Sequence, residues 1–425
     1  MISHKYIVVL LLFFSDLIYS QQPESSGTIT LENAYTYAIK NYPLIKDGPL
    51  IEMIEEASLS IIAKNKLPRL SLNGVGQIQS ENIELSLGAN DLNAPLETFN
   101  TYLSMEYDLY DGGLKKAQKE QQRAASNVDR SLLEVQLNAT KERVNNLLFG
   151  ILLSRKQKLI LETSIENLDA DIQSRKSGYN NGTVLQSEVY KLEVRKLELT
   201  SDLFSAIGDL NAYTAMLSQL LGVEVNDETV FIIPQFSFGE DAIAITRPEL
   251  EFYGNRRTLY AVQVNSLNAA LRPKISFFAQ GGVGNPNPLN FSDFSTSPYA
   301  LGGVKLAWTF TNFGKRKKEK QLLDLQKEQI LVDEREFIFN TQNTANEYRA
   351  KIDAIKKQIK NDREIYLLQQ EILSQSRVQL DNGVIKSNDY LTEVNAAINA
   401  AQQLEFKKIQ LQQYTIKYLT LLGQL

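Results

Sequence analysis

The sequence contains no cysteine, and its single histidine is His4. Without cysteine, the chain has no disulfide bond, thiolate metal site or lipidated N-terminal cysteine in its mature form. Because His4 lies in a predicted export signal, the mature chain also lacks the side chain most often used as an acid or base at neutral pH. No acid pair or nucleophile motif stands out either, which disfavours a secreted hydrolase. We therefore predict that the protein is not an enzyme and needs no cofactor or metal ion.

The chain also lacks an excess of positive charge. Lysine and arginine total 45 residues against 50 aspartates and glutamates, which gives a formal net charge of −5. A nucleic-acid partner is therefore not expected.

Long apolar runs are absent after the N-terminus. Residues 1–20 read as a cleaved signal peptide, because Lys5 precedes an apolar run over 6–14 and the small residue Ser20 ends the segment. No later run reaches the roughly 18 apolar residues of a membrane-spanning helix. If the protein enters a membrane, it must do so with strands.

The sequence is internally repeated. Asn-Gly pairs ending at Gly182 and Gly383, 201 residues apart, each interrupt a long helical pattern, as the turn of a helical hairpin would. The ends of the two copies, Gly222 and Gly423, show the same spacing. We predict a first repeat over residues 21–222, a linker over 223–246 and a second repeat over 247–425.

Each repeat contains two strands and several helices in the same order. The predicted strands cover about residues 69–79, 100–110, 274–284 and 299–310. The predicted helices cover about residues 31–66, 114–177, 184–221, 248–271, 315–380 and 385–422.

The strands have one apolar and one polar or small face. In the clearest case Leu103, Met105, Tyr107 and Leu109 alternate with polar residues. Strands of about 10 residues are long enough to cross a bilayer when tilted. A soluble sheet packed on helices would show the same alternation.

Four strands per chain impose a condition on any membrane form. Unpaired strand edges in hydrocarbon lose several kcal/mol per unsatisfied backbone group, so one chain must share strands with others. Two, three or four chains give barrels of about 8, 12 or 16 strands, and only the larger ones leave a lumen.

The long helices show narrow apolar stripes. On the first of them, Leu161, Ile165, Leu168 and Ile172 follow the spacing of a coiled-coil seam. We therefore predict antiparallel, coiled-coil-like arms.

Paired short motifs mark corresponding places in the two repeats. They are the helix starts at Asn41 and Arg247, the helix-to-strand junctions Leu67-Pro68-Arg69-Leu70 and Arg272-Pro273-Lys274-Ile275, the segments ending at Gly113 and Gly314, and the tips at Gly182 and Gly383. In order and spacing this arrangement resembles the TolC-like outer membrane efflux proteins, the outer membrane factors.

The resemblance implies a mainly α-helical chain with transmembrane strands. Four strands per chain complete a 12-strand β-barrel in a homotrimer in the outer membrane, and the hairpins form a helical barrel in the periplasm. It also implies a passive exit duct that meets a periplasmic adaptor (membrane fusion protein) and an inner-membrane pump or exporter, in a tripartite efflux pump or type I secretion. Drug, metal and protein cargo are all compatible with such a duct. The alternative is a periplasmic coiled-coil scaffold or adaptor without a pore.

The resemblance also implies site residues at the tips. Asp389 matches an acid that lines the periplasmic entrance, while the second acidic position is Thr392, with Glu393 beside it. Glu188 matches an acid that keeps the entrance closed, although Ile385 occupies the position of its arginine partner. Adaptor contacts fall on the turn residues, which are Gly182, Thr183, Gly383 and Val384. Gly113 and Gly314 fall at the strand-to-helix junctions.

In each repeat, one run of cations follows the second strand, at the start of the long helix. Lys115-Lys116 and Lys315-Arg316-Lys317-Lys318 lie where positive charge opposes the helix dipole. Outer membrane lipid phosphates and an ordinary solvated helix face are the two explanations for these runs.

Overall fold

A computed structural model describes residues 27–81, 84–87, 90–93, 95–236, 244–290, 294–309 and 313–425. The predicted signal peptide at 1–20 lies outside these residues, as do Phe310 and Asn312. The helices of the described chain are α1 (Leu31–Asn41), α2 (Asp47–Lys64), α3 (Leu114–Asn180), α4 (Gln186–Leu221), α5 (Pro248–Ala269), α6 (Phe313–Asp381) and α7 (Ser387–Leu422). Over the described ranges, no helix is apolar enough over a sufficient length to cross a membrane.

Eight strands accompany these helices in the part of the chain that the structure describes. They are β1 (Thr28–Thr30), β2 (Arg69–Ile78), β3 (Glu84–Leu87), β4 (Asn90–Asn93), β5 (Glu97–Tyr110), β6 (Val230–Ile232), β7 (Lys274–Asn285) and β8 (Ser297–Ala307). The long strands form one antiparallel sheet in the order β2-β5-β7-β8. Its central pair, β5 with β7, joins the strand hairpin of the first repeat to that of the second.

The register of this sheet places most apolar side chains on one face. Leu72 pairs with Leu103, and Phe277 pairs with Val304, and all four side chains are exposed. The opposite face carries hydrogen-bonded polar groups, including Ser71 Oγ 2.9 Å from Ser104 Oγ. The predicted alternation is therefore confirmed. Val75 is an exception, because the alternation of the strand puts it on the polar face.

The described residues fall into two compact units. One contains residues 27–42, 143–236 and 359–409, and the other contains the described parts of 43–142, 244–358 and 410–425. In the first unit, a buried seam joins Leu161 and Leu168 of α3 to Leu192 and Leu199 of α4. These residues repeat at intervals of seven, as in a coiled coil. The second unit has its own cluster around Ile352, Leu419 and Leu422. Each predicted repeat contributes to both units.

The helical region predicted over about 31–66 is α1 and α2 with a 3-10 turn at Pro43–Lys46 between them. The sequence also predicts the break before Tyr42-Pro43, because proline disfavours helical geometry in the preceding residue. Two other segments differ from the prediction, and strand pairing explains both. The segment predicted as a loop between the first two long strands contains β3 and β4, which pair with each other. In the predicted linker, β6 pairs in parallel with β1, which composition alone did not indicate.

The junction glycines are not equivalent. Gly113 has a φ of +83° before α3, and its N–H donates to Asp111 Oδ1 at 2.9 Å. Asp111 also accepts from the Lys115 N–H at 3.0 Å, so this carboxylate caps α3. Gly314, predicted as the matching junction residue, instead lies in the first turn of α6 without a positive φ. The two junctions therefore differ in backbone conformation.

Glycine is required at position 282, where β7 pairs with β5. A Cβ on Gly282 would lie 2.3 Å from the Thr101 carbonyl oxygen and 2.5 Å from Tyr102 Cβ, whereas a Cβ on Gly76 in β2 would meet nothing within 4 Å. Overpacking of this kind costs about 1–3 kcal/mol. We expect Gly282→Ala to lower the thermal unfolding midpoint by several degrees and Gly76→Ala to leave it unchanged. Equal midpoints for the two variants would contradict this account of the central strand pair.

Candidate functional site

Both helical hairpins turn through the same backbone motif. Gly182 and Gly383 have φ values of +77° and +71°. Their N–H groups donate to carbonyls three residues back, and the next N–H groups, of Thr183 and Val384, donate to Gly178 O at 2.9 Å and Gln379 O at 2.8 Å. This is the Schellman pattern, which satisfies carbonyls at a helix end. The long helices end at Asn180 and Asp381, beyond the predicted ends at 177 and 380. The returning helices begin at Gln186 and Ser387, two residues later than predicted.

The acids that follow the two turns are used differently. Asp389, near the start of α7, accepts a hydrogen bond from the Lys386 N–H of its own turn at 3.3 Å. Glu188 holds the corresponding place in α4, but its Oε2 accepts from the Ser387 N–H of the other hairpin at 2.7 Å. Glu188 therefore caps the N-terminus of a helix in the other repeat, where negative charge is favoured.

Glu188 is held in its charged form. Its side chain is only 16% exposed, and Lys191 Nζ lies 3.1 Å from its other oxygen. Burial alone would raise the pKa of Glu188, but the hydrogen bonds from Lys191 and Ser387 outweigh it and lower the pKa below its ordinary value. The contact between hairpins is thus a charge-assisted hydrogen bond, and such bonds are stronger than neutral ones.

A second contact between the hairpins is buried deeper. Asp171 of α3 has a side chain that is 6% exposed and an oxygen 2.5 Å from Arg377 of α6. Its other oxygen accepts from the Tyr390 hydroxyl of α7 at 2.5 Å. Burial and this hydrogen bond raise the pKa of Tyr390, so the hydroxyl stays protonated and continues to donate. One carboxylate on the first hairpin therefore binds both helices of the second.

Arg175, one turn along α3 from Asp171, adds a third link. Its guanidinium lies 3.2 Å from Asp381, the last residue of α6. Ser174 Oγ donates to the same carboxylate at 3.3 Å. Three acids, Glu188, Asp171 and Asp381, thus connect the hairpins close to both turns.

The structure brings some predicted site residues together and leaves others apart. Glu188 contacts the second hairpin, whereas Asp389 and Thr392 are exposed and Glu393 is half-buried. Ile385, at the expected arginine position, packs against the apolar seam of the hairpins. The backbone of Ser387 provides the donor that this side chain does not.

Sequence reasoning missed the Asp171 cluster. Asp171 is adjacent to Ile172 and three residues from Leu168, both of which are buried in the predicted seam. A carboxylate beside a seam is a possible buried group, but its partners, Arg377 and Tyr390, lie about 200 residues further along the chain. Pairing at that separation is set by the fold.

A groove of about 490 Å³ lies beside this cluster, between α3, α6 and α7. Its lining combines apolar side chains such as Leu373 and Val394 with Asp171 and Tyr390. Within the described ranges, no group of three or more acids and histidines could hold a metal ion.

The chain has the fold of outer membrane channels. CusC, whose crystal structures concern transmembrane channel formation, matches with a TM-score of 0.69 and 17% identity, covering 92% of this chain and 91% of that one. The CmeC outer membrane channel of Campylobacter jejuni matches with a TM-score of 0.62 and 16% identity over 92% and 85%. The outer membrane protein VceC of Vibrio cholerae gives 0.65 and 11% over 92% and 96%.

No family model and no curated protein matches the sequence. At identities of 11–17%, the likeness to these channels is one of fold. The resemblance to TolC-like proteins is confirmed at that level.

The lowered pKa of Glu188 leads to a pH-dependent prediction. A depressed pKa contributes stability above the ordinary value of 4.5 and loses it as pH falls through the folded-state pKa. We expect Glu188→Gln to destabilise the fold by about 1–2 kcal/mol at pH 7, with a smaller difference from the unmodified protein at pH 3. Thermal midpoints measured between these pH values test this.

The control for this experiment is Glu166→Gln, because Glu166 is an exposed acid on α3. It should leave the midpoint unchanged at every pH. A Glu188→Gln effect that is the same at pH 7 and pH 3 would show that the carboxylate charge is not what stabilises the contact.

Proposed function

We propose that the protein is a homotrimeric channel of the outer membrane that extends into the periplasm. In this proposal it acts as a passive exit duct for a tripartite efflux pump or a type I secretion system. The observation that carries the proposal is the four-stranded sheet, which has one exposed apolar face and two unpaired edges. The fold it shares with outer membrane channels supports the same reading.

The apolar face of the sheet suits lipid. Leu72 and Ile78 of β2 are 75% and 81% exposed, and Leu103, Val304 and Leu306 are also exposed on the same face. The four strands have 10, 14, 12 and 11 residues, enough to cross the hydrocarbon core when tilted. An apolar face of this extent in water would be an interaction or aggregation site.

The edges of the sheet favour three copies. Among the described strands, β2 and β8 each have one neighbour in the sheet, so each presents a backbone edge that no described strand pairs with. In a bilayer these edges must pair, and pairing β2 of one copy with β8 of the next closes a ring. Three copies give about 12 strands and a lumen lined by the polar face.

The helices also carry an apolar surface that is exposed in the single chain. Along α4, Tyr190, Val194, Leu197 and Phe204 form a stripe at helical spacing that stays exposed in the single chain, with Leu197 at 70% and Phe204 at 68%. A neighbouring copy would cover this stripe and extend a ring of helices from chain to chain.

The hairpin turns are proposed to contact a periplasmic adaptor, which links the duct to an inner-membrane pump or exporter. Val384 and Leu185 are each 71% exposed at the turns, and Gly182, Thr183 and Gly383 are exposed beside them. A rigid turn with apolar side chains in solvent is suited to docking another protein.

We propose that Asp389, exposed and near its turn, lines the periplasmic entrance, with Thr392 and Glu393 on the next helical turn. Glu188 has a different role in this proposal, because its carboxylate connects the hairpins and keeps the entrance closed. The Asp171 cluster would support it from within each chain.

The trimer is tested by introducing charge into the exposed α4 stripe. Leu197→Lys and Phe204→Lys together should convert the detergent-solubilised trimer largely into smaller species, because buried unpaired lysines cost several kcal/mol. Asp202→Lys, an exposed control about 140–160° around α4 from the two changed residues, should keep the trimer. Particle mass in light scattering measures both. A wild-type monomer would contradict the proposed assembly.

The entrance is tested by conductance in a planar bilayer. Three Asp389 carboxylates at a narrow opening would attract cations. Asp389→Asn should therefore weaken cation selectivity and relieve block by divalent cations added from the periplasmic side, while the half-buried Glu393 should matter less when changed to Gln. Loss of block in Glu393→Gln alone would assign the acidic ring to Glu393.

A further inference from the structure

The first turns of α6 concentrate positive charge in a chain that is acidic as a whole. Lys315, Arg316, Lys317, Lys318 and Lys320 lie within six residues that contain a single acid, Glu319, whereas the net charge of the protein is −5. Cations at a helix N-terminus oppose the helix dipole. The local charge therefore costs stability unless something anionic compensates for it.

Part of this charge is compensated within the chain. Lys315 Nζ lies 3.6 Å from Glu319, which offsets one charge, and Arg316 donates a hydrogen bond to the neutral amide oxygen of Asn268. For Lys317, Lys318 and Lys320 the structure shows no ion pair with any described residue, and all three are exposed. We refer to these three lysines as the α6 cationic patch.

The equivalent place in the first repeat is different. Lys115 lies 3.1 Å from Asp108, and Lys116 lies 4.0 Å from Glu120. Lys115 and Lys116 thus have acidic partners, and Lys119 is the one lysine in the first two turns of α3 without an ion pair to a described residue. The start of α6 has three such lysines close together, so the patch is not a general requirement for starting a long helix.

The patch follows directly on the apolar face of the sheet. Val304 and Leu306 of β8 are exposed on that face. Trp308 comes one residue after β8, and its Nε1 donates to the Leu271 carbonyl at the α5–β7 turn at 2.9 Å. Along α6, Lys317 and Lys320 lie about 6 and 10 Å from the helix start at 1.5 Å per residue. Tryptophan between an apolar band and a cationic segment is typical of a membrane interface.

Two lysines of the patch also share a concave surface. Lys317 and Lys320 line a groove that continues along α6 past Asp324, Leu325, Lys327 and Glu328. The end of the groove nearest the sheet is therefore positive, and the exposed apolar side chains of β8 precede it in the chain. That combination fits an anionic head group with an acyl chain attached.

We propose that the α6 cationic patch binds the phosphate groups of anionic phospholipids in the leaflet that meets the helices. The proposal rests on the membrane location proposed above and adds a lipid specificity to it. Lysine ammonium groups near a membrane surface attract anionic lipids, and the attraction weakens with salt. The uncompensated charge at the start of α6 is then neutralised in the membrane.

Trp308 provides the test, because it is the only tryptophan in the chain. The protein is reconstituted into vesicles of phosphatidylcholine with an added fraction of brominated phosphatidylglycerol or brominated phosphatidylcholine. Bromine quenches tryptophan fluorescence on contact, so the ratio of the two quenching curves gives the preference for the anionic lipid around Trp308. We expect phosphatidylglycerol to be preferred severalfold at low salt and less at high salt.

Lys317→Gln with Lys320→Gln should lower that preference to about one. The matched control is Lys357→Gln with Lys360→Gln, an exposed lysine pair at the same spacing further along α6, which should keep the wild-type preference. Equal quenching by both lipids in the wild-type protein would overturn the lipid specificity. Quenching by neither lipid would instead contradict the membrane location, so the two failures are distinguishable.

Two competitors identify what the patch recognises. Inorganic phosphate should displace brominated phosphatidylglycerol no better than sodium chloride of the same ionic strength. Stronger displacement by phosphate would show a free-anion site and overturn the assignment to lipid. Displacement of brominated phosphatidylglycerol by an acidic peptide, beyond that caused by sodium chloride of the same ionic strength, would overturn it in favour of a protein partner.

Discussion

The pairing of β5 with β7 is the contact on which the rest of the structure depends. Each repeat supplies a strand hairpin that could not form a sizeable sheet by itself, and isolated hairpins are marginally stable. Joining them at the middle produces one four-stranded sheet and leaves its outer edges on β2 and β8. The glycine at position 282 makes the close approach possible, because a side chain there would collide with Thr101 and Tyr102. The number of strands per chain, and the need for further copies that we propose, follow from this pairing.

Duplication produced matching turns but not matching contacts. The backbones of the two hairpin turns have the same hydrogen bonds, yet Glu188 reaches across to the second hairpin while Asp389 bonds within its own turn. A similar difference separates the junctions, where Gly113 takes a positive φ and Gly314 does not. Corresponding positions in the two predicted repeats therefore have different partners in the structure. The proposed roles rest on this difference, because Asp389 is assigned to the lining of the entrance and Glu188 to keeping it closed.

Local chemistry made some features predictable and others not. The Asn-Gly turns, the long helices and the alternating strands were predictable because each depends on neighbours within a few residues. The pairing of β1 with β6, the small β3–β4 hairpin and the bonds of Asp171 were not, because they depend on contacts distant in sequence or on short, polar strands without a clear period. Ile385 led to the expectation that Glu188 had lost its partner. That expectation considered only side-chain partners. In the structure, the donor from the second hairpin is the backbone N–H of Ser387.

That backbone donor has an evolutionary consequence. The hydrogen bond from the Ser387 N–H to Glu188 does not depend on which amino acid stands at 387, with the exception of proline, which has no N–H. Ser387 is only 1% exposed, so packing restricts the size of the side chain at 387, but a small replacement there needs no compensating change at 188. Related chains that use this connection would show no correlated substitution between the two positions, and methods that infer contacts from paired sequence changes would overlook it.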